Sequence, residues 1–176
     1  MDELVKQAML KWPNVPDCYG WLGLDARGDW YMRDAQVQAL GEFAQAKGSR
    51  LTHEKLIGFI SRNYTCDSIG QWFFQNGPQR VYVALENAPW IWRIAPDGTV
   101  QSHTHHTTQV QRCLLDEHGY LYFETSLGLG LVHTQDVLAA SQLIENSNWA
   151  VHTVAYQELP EIYRFVRNPT DNKKPA

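Results

Sequence analysis

The sequence predicts an α+β protein: two similar, mostly antiparallel β-units built from hairpins, with a few peripheral helices. Three observations predict it. First, Asp-x-x-Gly precedes an aromatic or apolar run three times: Asp25–Gly28 before Trp30-Tyr31-Met32, Asp67–Gly70 before Trp72-Phe73-Phe74, and Asp116–Gly119 before Tyr120-Leu121-Tyr122-Phe123. Asp at the first turn position accepts from amides ahead of it, and Gly at the fourth takes positive φ without a Cβ clash. Second, Arg80–Glu86 alternates, with Val81, Val83 and Leu85 on one face and Arg80, Tyr82, Ala84 and Glu86 on the other. Third, Leu24-Asp25-x-x-Gly28-x-x-Tyr31 matches Leu115-Asp116-x-x-Gly119-x-x-Tyr122 at an offset of 91 residues, which suggests a duplicated unit.

The elements follow in order. Residues 2–11 read as a short helix capped by Asp2, with Leu4, Val5, Ala8 and Met9 on one face, and Trp12-Pro13-Asn14-Val15-Pro16 stops it. Strands at 19–24 and 30–33 flank the first turn. Residues 35–46 have weak helical spacing before Gly48. A better helix covers 53–63, with Thr52 as cap and Leu56, Ile57, Ile60 and Tyr64 as its stripe.

The second turn opens a strand at 71–75, Asn76-Gly77-Pro78 turns the chain, and strands follow at 80–86 and 90–94. Asp97-Gly98 is a further hairpin turn, and Gln101–Gln109 is polar. Strands at 110–115 and 120–125 flank the third turn, and another covers 128–133. Thr134 is the expected cap of a helix at 135–145, with Val137, Leu138, Ser141 and Ile144 inward. A last strand falls within 149–156, and 158–166 closes the chain. The domain reading is a helix and linker at 1–16, a first β-unit at 17–95, a second at 96–168, and a disordered tail at 169–176.

The bulk numbers bound the function. A chain of 176 residues with 44% hydrophobic residues is globular. A net charge of −4 with no Lys/Arg cluster argues against nucleic acid as a partner. No apolar run reaches the ~20 residues needed to span a bilayer, so no membrane partner is expected. The acidic start, Met1–Lys6, has no signal-peptide core, and three dispersed cysteines form no CxxC pair; both point to a reducing cytoplasm. No cofactor is indicated.

Several segments carry a resemblance. Trp12–Pro16, Phe74–Tyr82 and Leu131–Thr134 resemble a proteobacterial family of unknown function over most of the chain. Leu85–Trp90 and Phe123–Gly130 are similar to segments of a second, more distant family of unknown function. That second resemblance implies a duplicated two-domain β-rich core with a pleckstrin-homology-like second half. It also implies a nucleotide-like ligand between the halves and a role in signalling. Leu129-Gly130 stands here where that pattern has an acidic residue.

Candidate sites are few. His103-Thr104-His105-His106 is the metal-like cluster; in a strand His103 and His105 would share a face, with His118, His133, Glu124 or Asp116 as further ligands. No second ligand pair has diagnostic spacing, so solvated histidines and no metal are expected. Ser126-Leu127-Gly128-Leu129-Gly130 lacks the rest of a nucleotide fingerprint and reads as a strand approached closely by other groups. The best candidate is aromatic. If the strands at 80–86 and 90–94 pair, Tyr82, Trp90 and Trp92 form a platform flanked by Arg80 and Glu86, closed by Glu124 and Thr125. It suits a planar anionic small molecule. The alternative is that these tryptophans pack as core.

The expected function is therefore a non-catalytic, cytoplasmic small-molecule-binding or interaction module in signalling. A metal-assisted hydrolase using the histidines and a structural protein, with a homodimer left open, are the alternatives.

Overall fold

The computed structural model describes residues 1–170 as two compact units. Unit 1 comprises residues 1–25, 29–86 and, among the described residues, 165–170; unit 2 comprises residues 26–28 and 87–164. The division at 86/87, rather than 95/96, follows the sheets. The strand at 90–94 pairs only within unit 2, and the chain after Arg164 returns to unit 1. Of the tail expected to be disordered, 171–176 lie outside the described residues; the amide of Thr170 donates to Gln71 Oε1 at 2.8 Å.

Unit 1 opens with α1 (Glu3–Lys11) and continues with β1 (Cys18–Leu24), β2 (Trp30–Met32), α2 (Ala35–Ala39), β3 (Ser49–Arg50), α3 (Glu54–Arg62), β4 (Tyr64–Cys66), β5 (Trp72–Asn76) and β6 (Gln79–Leu85). The six strands form one sheet in the order β3-β2-β1-β6-β5-β4. β1 to β3 and β4 to β6 are antiparallel runs, and β6 joins β1 in parallel, with Leu22 opposite Val83. β6 is thus central and covered on both sides: Val81, Val83 and Leu85 are buried, but so are Tyr82 and Ala84.

Unit 2 contains β7 (Trp90–Ile94), β8 (Val100–Ser102), β9 (Thr107–Thr108), β10 (Val110–Leu115), β11 (Leu121–Thr125), β12 (Gly128–Val132), α4 (Val137–Ser147), β13 (Val151–Thr153) and α5 (Leu159–Ile162). Its seven strands run β13-β10-β11-β12-β7-β8-β9. β7 to β9 and β10 to β12 are antiparallel runs; β12 joins β7 in parallel, with Leu131 opposite Ile91.

The turns match the expectation from local chemistry. Gly28, Gly70 and Gly119 sit at φ of 82°, 82° and 81°. Asp67 Oδ1 accepts from the amides of Ile69 and Gln71, and Asp116 Oδ1 from those of His118 and Tyr120.

The helices depart from expectation at their caps and faces. Asp2 makes no cap bond to α1, because its carboxylate is taken by Arg62 at 3.2 Å. Only Val5 of α1 is buried, and Leu4 is 79% exposed. α2 ends at Ala39 because Arg33 holds the following loop through the carbonyls of Gly41 and Ala46. His53 Nδ1, not Thr52, caps α3 by accepting from Leu56 N. Thr134 lies in a 3-10 turn (Thr134–Asp136) that His133 Nδ1 caps by accepting from Gln135 N, and α4 follows with Asp136 as an N-cap that makes no side-chain bond. Ala140, not Val137 or Leu138, is the buried residue of α4. Among the described residues no helix is long and apolar enough to cross a membrane.

Candidate functional site

The expected platform is not assembled as one sheet face, because β6 pairs with β1 and β5 while β7 pairs with β8 and β12. The residues divide between the units, and each group has its own surroundings.

In unit 1, Arg80 and Tyr82 do share a face. The two-residue hairpin at Gly77-Pro78 sets Asn76 opposite Gln79, which places Gln75 opposite Arg80 and Phe73 opposite Tyr82. Their aromatic partners are other than those expected. The Arg80 guanidinium lies 4.9 Å from the centre of the Phe73 ring, and Tyr82 stacks on Tyr19 at 4.4 Å with 5° between the planes. Arg80 hydrogen-bonds the Tyr82 hydroxyl, which donates onward to Asp67 Oδ2 at 3.1 Å. The Tyr82 phenol, with the charges of Asp17 and Asp67 further out, pushes the guanidinium up from its ordinary value. Glu86 is engaged elsewhere: Lys47 Nζ donates to its Oε2 at 2.8 Å and lies 3.6 Å from the buried Asp25.

Arg80 opens onto a cavity of about 760 Å³ within unit 1. Gln75 and Pro78 line it from the β5–β6 hairpin, Met9 from α1, and Trp12–Asp17 from the linker. Gln79 Nε2 donates to Pro16 O at 3.0 Å and ties that linker to β6. The cavity falls in the range of ordinary ligand sites, about 300–1,000 Å³. Sequence reasoning missed Trp12, Asp17 and Gln75. For Gln75 the signal existed, since one polar residue ends the aromatic run Trp72-Phe73-Phe74 and the tight Gly77-Pro78 turn fixes its partner.

In unit 2 the tryptophans are core. Trp92 is fully buried and Trp90 nearly so; their rings stack with centroids 6.0 Å apart. Trp90 Nε1 donates to Leu127 O at 2.8 Å and Trp92 Nε1 to Phe123 O at 2.9 Å. Gly130 makes room for them, because a Cβ there would lie 2.4 Å from Trp92 Nε1. That packing accounts for glycine, and no acid, at the Leu129-Gly130 position. Glu124 accepts from Tyr163 Oη at 2.9 Å, and Thr125 Oγ1 braces the β11–β12 turn by donating to Gly128 O. A cavity of about 450 Å³ in this unit is lined by other residues, among them Asp97, Leu143 and Trp149.

The histidines fall in the β8–β9 turn rather than in a strand, because Ser102, Thr104 and His106 close that turn with side-chain bonds. His103 is half-buried and its Nδ1 accepts from Ile91 N; desolvation of the ring, and then the neighbouring His105 and His106, bring its pKa down to about 3. His105 is exposed at φ 67°. Among the described residues no group of three or more His, Cys, Asp or Glu side chains is placed to hold a metal.

No curated protein matches the chain. A solved structure, that of a DUF1285 family protein from Silicibacter pomeroyi DSS-3, is similar in fold: TM-score 0.50 at 13% identity, covering 81% of this chain and 84% of that one. Residues 1–170 match the model of the family DUF2944, described as "Protein of unknown function (DUF2946)", and the chain belongs to that family.

Proposed function

We propose that this protein is a non-catalytic binding module, and that its ligand is a small molecule presenting an anionic group to Arg80. One observation carries the reading: Arg80, expected from sequence to hold the ligand, lines a cavity of about 760 Å³. Its planar fork is held by Phe73 and Tyr82, which lowers the entropy lost when it binds an anion. A cytoplasmic setting is supported by three cysteines that are all free thiols. Signalling is the role that the sequence resemblance implies.

Duplication belongs to the same proposal. Each sheet joins two antiparallel three-strand runs by one parallel pair, β1 with β6 and β7 with β12. By that order the Gly28 turn corresponds to the Gly98 turn and the Gly70 turn to the Gly119 turn, so the 91-residue match of Gly28 with Gly119 is local turn chemistry and not the register of the repeat; all four glycines are at φ 81–82°.

The experiment is a melting-temperature screen against nucleotides, carboxylates and amino acids, run on wild type and Arg80→Gln. At least one anion-bearing compound raises the wild-type Tm, and the shift disappears in the variant. A flat response across the panel overturns the reading.

A further inference from the structure

The cavity's two charges have opposite sign and do not pair. Arg80 and Asp17 both line it, and Asp17 acts on Arg80 through space. Yet among the described residues the Asp17 carboxylate makes no ion pair or hydrogen bond. Gln75, the cross-strand partner of Arg80, is 1% exposed and lines the same cavity. Its Nε2 donates to Gly77 O at 3.0 Å, while its Oε1 accepts no hydrogen bond among the described residues. That oxygen is not one of the buried side-chain atoms left without a partner, so it is open to a donor in the cavity rather than sealed in the core.

The rest of the lining favours donors on the ligand. Pro13 and Pro16 lack amide N–H groups and the Asp17 carboxylate only accepts, while the Asn14 carboxamide can donate or accept and the Pro16 carbonyl already accepts from Gln79. Met9, Trp12 and Pro78 supply apolar surface. Lys11 is the nearby cation outside this set, lying 4.5 Å from the centre of the Trp12 ring.

We infer that this cavity binds a zwitterion, a free-ended amino acid or short peptide. Its carboxylate meets Arg80, its ammonium meets Asp17, and an N–H donates to Gln75 Oε1. A simple anion would satisfy Arg80 alone and would bring its charge toward Asp17. The volume favours a short peptide over a single residue. This inference rests on the reading of the cavity as the ligand site.

The test is calorimetric titration of the full chain with trialanine, N-acetyl-trialanine, trialanine amide, succinate and AMP. Trialanine binds, and blocking either end weakens binding at least tenfold. Asp17→Asn then loses the preference for the free amine, and Arg80→Gln loses the preference for the free carboxylate, both variants keeping the wild-type circular dichroism. Binding of succinate or AMP that depends on Arg80, without binding of trialanine, overturns the zwitterion and leaves the cavity reading standing. Silence from all five probes, with a flat response in the wider screen, removes both. Trialanine binding that is indifferent to blocked ends also overturns the inference.

Discussion

The Tyr82 hydroxyl donates to Asp67 Oδ2 at 3.1 Å, and with that bond the middle turn acquires the same partner as the other two. Tyr122 donates to Asp116 Oδ2 at 2.9 Å, and Tyr31 hydrogen-bonds Asp25. In those two turns the tyrosine comes six residues after the aspartate. At that place after Asp67 stands Phe73, and its cross-strand partner Tyr82 supplies the phenol instead. The aspartate therefore has two tasks: one oxygen closes the turn onto amides, and the other anchors the turn to the sheet.

Removing these hydroxyls separates the two environments. Tyr82→Phe keeps the stack on Tyr19 and leaves a half-exposed Asp67, so the cost is about 0.5–1.5 kcal/mol. Tyr122→Phe strands an oxygen of the buried Asp116 and costs about 1–3 kcal/mol. Urea unfolding of both variants measures the difference; equal costs would contradict the assignment.

The turn glycines divide in a similar way. A Cβ at Gly119 meets nothing within 4 Å, so Gly119→Ala costs only the left-handed backbone, about 1–2 kcal/mol. At Gly28 the same Cβ would come 2.9 Å from His103 Cβ, so Gly28→Ala costs more. Val in place of Gly is worse at both. Thermal unfolding ranks the four variants.

Gly130→Ala tests the tryptophan packing. The added methyl would press on Trp92 Nε1 and Cε2 at 2.4 and 2.5 Å and displace the bond from the indole to Phe123 O. The expected loss is about 1–3 kcal/mol. It comes with a changed near-ultraviolet circular dichroism signal from the Trp90–Trp92 stack; an unchanged spectrum and stability would refute the packing argument.

Acid should destabilise the fold through His103. Its folded pKa, about 3, lies below its ordinary 6.5, so the unfolded chain takes up the proton first. The stability owed to the neutral ring is complete above pH 6.5, declines as pH falls, and is gone below about 3. One proton corresponds to a slope of about 1.4 kcal/mol per pH unit within that window. Urea midpoints from pH 7 to 5 give the slope, and His103→Gln flattens it.

Much of the fold was legible because its signals are local. Asp and Gly at fixed spacing specify a turn regardless of what surrounds it, so the hairpins at Gly28, Gly70 and Gly119 could be read directly, and the adjacent Asp97-Gly98 marked a fourth. Pairing between distant strands has no such signal. β6 precedes β7 in the chain, which made them natural neighbours, yet β6 lies beside β1, 63 residues from Cys18 to Val81. That is why the shared face of Arg80 and Tyr82 is legible in the alternation of one strand and their neighbours Phe73 and Tyr19 are not. Two-residue strands such as β3 and β9 are too short to show alternation. The apolar stripes of α1 and α4 misled because Leu4 and Leu138 are spaced as buried residues yet remain exposed.

Unit 1 is finished by the last described stretch of the chain. Leu85 N donates to Arg167 O at 2.7 Å, and Gln71 bridges to Val166. During synthesis the amide of Leu85, the last residue of β6, must therefore wait for some eighty further residues, on the order of ten seconds at ordinary ribosomal rates of ~5–20 residues per second. The later unit is fully made before the earlier one receives these last backbone bonds. A nascent chain halted near residue 160 would expose Leu85 and Gln71 to solvent or to a chaperone, and quality control would meet this protein first at its N-terminal sheet.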